Sequence, residues 1–143
     1  MAETHPRFDV ALVTPEGEAF RGEAEMLVVP GAAGEIGVLA RHAPLVATLK
    51  AGSTRIYRDR ASEDVLEFAT GPGFFKVELD SAIALVDDAV DVKEIDDARA
   101  QQQLEAAKAE LEKVDAGESN ADRWQLEQRI LHAENQLRVS GRT

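Results

Sequence analysis

Apolar and polar residues alternate along the first part of the chain, from Phe8 to about Val90. Turn-forming residues interrupt the alternation every eight to twelve positions or so, as at Thr14-Pro15-Glu16-Gly17 and Asp80-Ser81. Short β-branched or aromatic runs at this spacing are typical of an antiparallel sandwich or barrel, whose strands bury one face and expose the other. The predicted strands are 8–13, 25–29, 53–58, 65–68, 75–79 and 82–86. We therefore expect a β-domain over residues 1–90.

The pattern changes to a helical one in residues 91–143. From Glu94 to Val114 there is no glycine or proline, and alanine, glutamine and glutamate dominate, which predicts a helix. Asp91 or Asp96-Asp97 lies near its start, where carboxylates suit the helix dipole. Its apolar face is predicted to hold Leu104, Ala107, Leu111 and Val114.

A second helix is predicted after the break at residues 115–119, with Ser119 or Asn120 as its cap and Asp122 in its first turn. Its apolar stripe is Leu126, Ile130, Ala133 and Leu137. Trp124 and Leu131 fall on the opposite side, so this helix is expected to have two packing partners, such as the first helix and the β-domain. Two helices joined by a short turn form an antiparallel hairpin.

Composition removes several classes of function. The 143 residues include 27 acidic and 16 basic side chains, a net charge of −11, which makes nucleic acid an unsuitable partner. The absence of cysteine excludes disulfides, thiolate metal sites and thiol nucleophiles. No apolar run reaches the length of a spanning helix and Met1–Val10 has no signal-peptide core, so a cytoplasmic protein is expected.

No motif predicts catalysis or metal binding. His5, His42 and His132 lie in three different contexts, and no triad is recognisable. Asp87, Asp88 and Asp91 lack the spacing and glycine of a calcium loop, which favours a solvated junction between domains. The glycines of residues 31–37 and 71–73 lack the spacing of a nucleotide-binding loop and are interpreted as turns or close backbone approaches.

An ordered set of short motifs resembles the epsilon subunit of bacterial F-type ATP synthase. The motifs span residues 7–139, nearly the whole chain, in the order that the family has them. They are Val13–Gly17, Val29-Pro30-Gly31, Gly34–Leu39, His42-Ala43-Pro44-Leu45, Gly71–Phe74, Ile95–Ala100 and Gln136–Val139.

The resemblance implies a β-sandwich of about ten strands followed by a helical hairpin. It implies a non-catalytic rotor subunit of the central stalk, which couples proton translocation to ATP synthesis and needs no cofactor. The sandwich would bind the gamma subunit and rest on the c-ring, at the cytoplasmic face of the bacterial inner membrane. The hairpin would extend towards the alpha and beta subunits and inhibit ATP hydrolysis. The alternatives are a free-standing ATP-sensing binding protein and, with less support, an enzyme on a β-sandwich.

The resemblance also assigns residues. Glu35 and His42 match loop positions that contact the polar loops of the c-ring. Ile95, Asp96, Arg99 and Ala100 match a motif that contributes to an ATP site in the family, and Arg99 is also placed to pair with Asp96 across one helical turn.

Two departures and one charge pattern refine this picture. Strongly ATP-binding members have two arginines, four residues apart, where this chain has His132 and Gln136, so ATP binding is expected to be weak at best. From Arg123 onward the chain has four arginines against two glutamates. The resemblance gives Arg123, Arg129 and Arg138 an inhibitory contact with an acidic segment of the beta subunit.

Overall fold

Ten strands precede two α-helices in the computed structural model, which describes residues 5–61 and 64–141. A one-turn 3₁₀ helix, Val92–Glu94, connects the two parts. The strands are β1 Phe8–Thr14, β2 Gly17–Ala24, β3 Met26–Gly31, β4 Gly34–Leu39, β5 His42–Leu49, β6 Gly52–Asp59, β7 Asp64–Thr70, β8 Gly73–Leu79, β9 Ser81–Val86 and β10 Ala89–Asp91, and the helices are α1 Asp97–Asp115 and α2 Arg123–Ser140.

The strands form one continuous sheet that folds over on itself as a sandwich. Their order is β10-β7-β6-β3-β5-β8-β9-β1-β2, with β4 paired to β3 outside this path. The pairs are antiparallel except for β1 with β9, which run parallel. A parallel pair cannot be closed by a tight turn, and here almost the whole sandwich separates its two strands along the chain. The predicted sandwich followed by a helical hairpin is confirmed.

Alternation in β8 shows how the sequence builds the core. Phe75 and Val77 are buried with the core side chains of the other strands, whereas Phe74, Lys76 and Glu78 point outward and are exposed. Because successive side chains of a strand point to opposite faces, the hydrophobic pattern fixes which face is buried. The six strands predicted from alternation are all present, each within a longer observed strand or overlapping one.

Four strands, β2, β4, β5 and β10, were not predicted from the pattern. β4 lies in the glycine-rich stretch that was interpreted as turns or close backbone approaches. Gly34 has the positive φ of a turn residue, at 142°, but the rest of 34–37 is strand and that interpretation is wrong there. Ile36 and Val38 of β4 do face the core in alternation, but only Val38 is fully buried and two glycines interrupt the apolar pattern. Gly31 does make the expected close approach, because a Cβ there would lie 2.6 Å from the carbonyl oxygen of Gly34.

Both helices begin at an aspartate cap, which for α1 is one of the aspartates predicted near its start and for α2 differs from the predicted cap. The Asp96 carboxylate accepts a hydrogen bond from the Arg99 backbone N–H at 3.1 Å, so α1 begins at Asp97 rather than Glu94. Asp122 caps α2 by accepting from the backbone of Trp124 at 2.9 Å, which corrects the prediction of Ser119 or Asn120. A carboxylate at this position satisfies amide donors that the first helical turn leaves free.

Helix α2 lies between α1 and the sandwich, where it packs on β6 and β7. Its buried residues are Leu126, Ala133, Asn135 and Val139, and those of α1 are Ala100, Leu104 and Ala107. The expectation of two partners for α2 is therefore correct. The residues proposed for the second side are not, because Trp124 is 65% exposed and Leu131 only half-buried.

Candidate functional site

A cleft of about 610 Å³ opens where the helical hairpin meets the sandwich. Its walls come from the β1–β2 turn, the segment between β9 and β10, and the facing sides of α1 and α2. The lining residues are Glu16, Asp87, Asp88, Gln103, Ala106, Ala107, Glu110, Leu126, Arg129, His132, Ala133 and Gln136. Four carboxylates thus share the cleft with one permanently charged cation, Arg129, so the cleft is acidic.

A side-chain hydrogen bond crosses the cleft and joins α2 to the sandwich. The His132 Nε2 atom lies 3.1 Å from Oδ2 of Asp87. Gly71 is buried directly beneath this pair, and a Cβ at that position would collide with the Asp87 carboxylate and lie 3.1 Å from His132 Nε2. The absence of a side chain at Gly71 is therefore what lets Asp87 and His132 meet, a role that the sequence did not predict.

Asp88 is the titratable group of the cleft whose environment changes its acidity most clearly. Burial raises the pKa of the Asp88 carboxyl above its ordinary value of 3.8, and the neighbouring Asp87 carboxylate adds to this. A charge on His132 acts in the opposite direction. The cleft thus disfavours further negative charge.

The predicted nucleotide-binding residues lie at the start of α1, beside the cleft rather than within its wall. Asp96 and Arg99 are exposed, Ile95 is half-buried and Ala100 is buried. The α1 wall of the cleft begins one turn later, at Gln103. Asp96 binds the backbone N–H of Arg99, whereas the expected Asp96–Arg99 ion pair does not form among the described residues.

The two residues matched to ring contacts lie in strands, which corrects their assignment to loops. Glu35 is in β4, and its Oε2 atom lies 3.1 Å from Nη2 of Arg55 on β6. His42 is the first residue of β5 and pairs with Leu79. Gly31 pairs with Gly34 at the start of β4 and with Leu49 at the end of β5, so these residues share one end of the sandwich. Glu35 follows Gly34 and lies near that end. His42 lies at the opposite end, because it begins the strand that Leu49 closes.

The three arginines assigned to inhibition do not share one surface while the hairpin rests on the sandwich. Arg123 pairs with Asp115 and, at 3.1 Å, with Glu127, and its hydrogen bond to Asp115 raises the pKa of the guanidinium. Arg129 faces the cleft. The Arg138 Nη2 atom donates to Oδ1 of Asn135 at 2.8 Å.

An apolar patch on the outer face of the sandwich was missed by the sequence analysis. We define the outer patch as Val46, Phe74 and Leu85, which are 68%, 61% and 48% exposed. Phe74 is the register partner of Leu85, and Val46 lies two residues from Thr48, the partner of Phe74 on β5. The available signal was the run Ala82–Val86, which is apolar at every position where alternation should place polar residues.

Metal binding and membrane spanning find no support in residues 5–61 and 64–141. These residues contain no group of three or more histidine, aspartate or glutamate side chains arranged to hold a metal ion. Neither helix in this part of the chain is long and apolar enough to cross a membrane.

Comparison with known proteins decides the family. The family model for the ATP synthase, Delta/Epsilon chain, beta-sandwich domain matches residues 7–92. The chain belongs to this family. Within it, the ATP synthase epsilon chain of Laribacter hongkongensis is 42% identical over 122 residues, which are 85% of this chain and 86% of that one. The family resemblance noted in the sequence is confirmed.

Solved structures share the epsilon-chain fold beyond the sandwich. A chain in the Euglena gracilis mitochondrial ATP synthase, OSCP/F1/c-ring, superposes with a TM-score of 0.70 at 21% identity, covering 93% of this chain and 81% of that one. A chain in the Tetrahymena thermophila mitochondrial ATP synthase central stalk and c-ring gives 0.55 at 14% identity, covering 98% of both. At these identities the likeness concerns the fold, and it includes the helical hairpin.

Proposed function

We propose that this chain is a non-catalytic subunit of the central stalk of an F-type ATP synthase. It binds the gamma subunit and the c-ring at the cytoplasmic face of the bacterial inner membrane, and so couples proton translocation to ATP synthesis by the alpha and beta subunits. Membership of the epsilon-chain family supports this proposal, as does the fold shared with chains from central-stalk and c-ring structures.

The outer patch is the observation that carries the proposal. Phe74 and Leu85 are direct cross-strand partners on an open sheet face, and Val46 lies diagonal to Phe74, next to Lys76, so water would surround all three apolar side chains in a free monomer. An exposed apolar cluster of this kind is typical of a protein–protein contact. We assign the gamma subunit to this face, because the opposite side of the sheet is the core and the β6–β7 region carries α2.

We propose Glu35 and His42 as contacts with the c-ring. Glu35 and Arg55 form an ion pair in which the Glu35 side chain is 53% exposed and that of Arg55 is 25% exposed. Glu35 is the more accessible partner and is the one proposed to meet the polar loops of the ring. Because Glu35 and His42 lie at opposite ends of the sandwich, their contributions are separable by single substitutions.

The hairpin supplies regulation in this proposal. Arg123, Arg129 and Arg138 bind an acidic surface of the beta subunit and inhibit ATP hydrolysis once the hairpin has left the sandwich, since Arg129 faces the cleft in the structure described here. Reversing all three charges is expected to abolish the inhibition while leaving assembly intact. Unchanged inhibition of hydrolysis in that variant contradicts this assignment.

ATP binding by the isolated chain is expected to be weak, in the millimolar range or absent. The cleft presents Glu16, Asp87, Asp88 and Glu110 to a ligand that is itself strongly anionic. His132 is already engaged by Asp87, and Gln136 brings no charge. Ile95, Asp96, Arg99 and Ala100 remain the proposed contacts on α1. Titration calorimetry that gives a micromolar dissociation constant contradicts this expectation.

The proposed function is tested by tagging the chain in its native host and analysing what elutes from detergent-solubilised membranes by mass spectrometry. Recovery with gamma, alpha, beta and the c-ring is the expected result. Recovery of the chain alone from the soluble fraction contradicts a central-stalk role and favours a free-standing ATP-sensing protein.

A further inference from the structure

Asn135 is the one polar residue among those of α2 that are buried against their surroundings. It is 2% exposed, as deeply buried as the apolar residues Ala133 and Val139 of the same helix, which are 3% and 1% exposed. Burying a side-chain amide is unfavourable unless its donors and acceptor are satisfied. The amide of Asn135 must therefore have hydrogen-bond partners inside the protein.

Its partners are two carbonyl groups of the sandwich. The Asn135 Nδ2 atom donates to the Thr70 carbonyl oxygen at 3.1 Å and to the Gly52 carbonyl oxygen at 3.2 Å. Gly52 opens β6, Thr70 closes β7, and the two residues are register partners. The two N–H groups of one amide thus bridge the end of a two-strand ladder, each with its own acceptor.

The amide oxygen, the other polar atom of the side chain, is satisfied from within α2. Arg138 donates to Oδ1 of Asn135 at 2.8 Å, so the oxygen is directed along the helix and the NH₂ group towards the strands. Every hydrogen-bonding atom of the Asn135 side chain has a partner within 3.2 Å. A shift of α2 by a fraction of a turn breaks both bonds to the sandwich and leaves buried polar groups unpaired.

We propose that Asn135 is the positioning residue of the contact between hairpin and sandwich, and that its amide selects the observed position of α2 over other ways of laying an apolar helix face on the same strands. Apolar contacts alone are not directional, and a single buried asparagine is known to fix register in coiled coils. The proposal concerns the chain by itself, so its test is independent of assembly into an ATP synthase.

The test measures the distance between α2 and the sandwich in the full-length chain. Because the sequence has no cysteine, replacing exposed Glu134 on α2 and exposed Lys50 after β5 by cysteine gives two unique sites for spin labels. Pulsed electron paramagnetic resonance is then recorded for the wild-type background and for Asn135→Leu, Asn135→Asp and Asn120→Asp. Asn120 is the only other asparagine of the chain and lies exposed between the helices, so it serves as the matched control.

The wild-type background and Asn120→Asp are expected to give one narrow distance. Asn135→Leu, which keeps the apolar contact, is expected to give a broad or multiple distribution. Asn135→Asp directs a carboxylate at two carbonyls and is expected to lower the population ratio of the observed position to others by about tenfold to a hundredfold. Circular dichroism and amide proton spectra report whether both parts remain folded.

Two results overturn the proposal. One is an unchanged narrow distance in both Asn135 variants, which means that the apolar contacts alone position α2. The other is loss of the sandwich fold together with the hairpin contact in both variants, which means that Asn135 supports the whole fold rather than the position of the hairpin.

Discussion

The outer patch and the contact beneath α2 are two surfaces of one sandwich with opposite character. The outer patch is apolar and uncovered, whereas the surface under α2 is covered by a mainly apolar helix face to which Asn135 and His132 add polar contacts. Apolar surface is costly to return to water, but polar groups regain hydrogen bonds when they separate. The difference suggests a division of labour in which the outer patch suits a lasting partner and the α2 contact suits release.

The largest expected effect is a difference in unfolding free energy between substitutions on the two faces of β8. Phe74→Ala removes part of the outer patch and is expected to cost the isolated chain less than about 1 kcal/mol of unfolding free energy. Phe75→Ala empties a core position that is 1% exposed and is expected to cost about 3–5 kcal/mol. Urea unfolding of both variants provides the comparison, and equal losses contradict the assignment of the two faces.

The next effect tests the polar side of the comparison at Gly71. A methyl group there displaces the carboxylate of Asp87, which rotates away, so Gly71→Ala is expected to separate His132 from Asp87 and to cost about 1 kcal/mol. Gly37→Ala is the matched control, because a Cβ at Gly37 meets nothing within 4 Å. Urea unfolding measures the cost, and hydrogen exchange of the α2 amides is expected to accelerate only in Gly71→Ala. Equal behaviour of the two variants contradicts the role given to Gly71.

A gain of function tests whether the cleft lacks cations for a phosphate ligand. The double variant His132→Arg with Gln136→Arg is expected to tighten ATP binding at least about tenfold, since a hydrogen bond to a charged group contributes about 1.5–3 kcal/mol. The control double variant, Gln102→Arg with Gln125→Arg, adds the same charge at exposed positions. Equal ATP affinity of the two double variants in calorimetry contradicts the prediction that ATP phosphates bind in the cleft.

The smallest expected effect concerns pH. Burial raises the pKa of Asp88 in the folded chain, so folding favours the protonated carboxyl group. The resulting contribution to the free energy of unfolding is complete below the ordinary carboxyl pKa of 3.8 and is lost as pH rises through the raised pKa. Asp88→Asn is therefore expected to gain stability relative to wild type as pH rises over that range, by less than about 1 kcal/mol after solvent screening. Exposed Asp80→Asn is the control. Parallel stability–pH curves for wild type and Asp88→Asn contradict the prediction.

Sequence patterns predicted the fold in those strands whose apolar residues repeat with period two, because this repeat alone determines which side chains are buried. β8 and β9 are examples, since Phe75, Val77, Ala82 and Ala84 repeat with period two and all reach the core. β4 was missed because two of its six residues are glycine and only Val38 is fully buried. The α2 cap was misplaced because Ser119, Asn120 and Asp122 are all good caps, and the choice among them depends on where the helix meets its neighbours.

The candidate sites were less predictable, because they depend on contacts between distant segments. His132 was singled out from the family pattern, but its partner Asp87 lies 45 residues away in the chain. Asn135 looked like one more polar helix residue, and only the packing of α2 on β6 and β7 buries it. Phe74 and Phe75 are chemically identical neighbours, so composition alone does not tell which faces a partner.

The central claim is that the outer patch holds this chain in an ATP synthase, and the most direct measurement is co-purification of patch variants. Phe74→Asp combined with Leu85→Asp is introduced into the tagged chain in its native host, with Trp124→Asp on the hairpin as a control at another exposed apolar side chain. The account predicts that the patch variant folds but loses gamma and the c-ring from the eluate, whereas the Trp124 variant retains both. Full recovery of gamma with the patch variant contradicts the account.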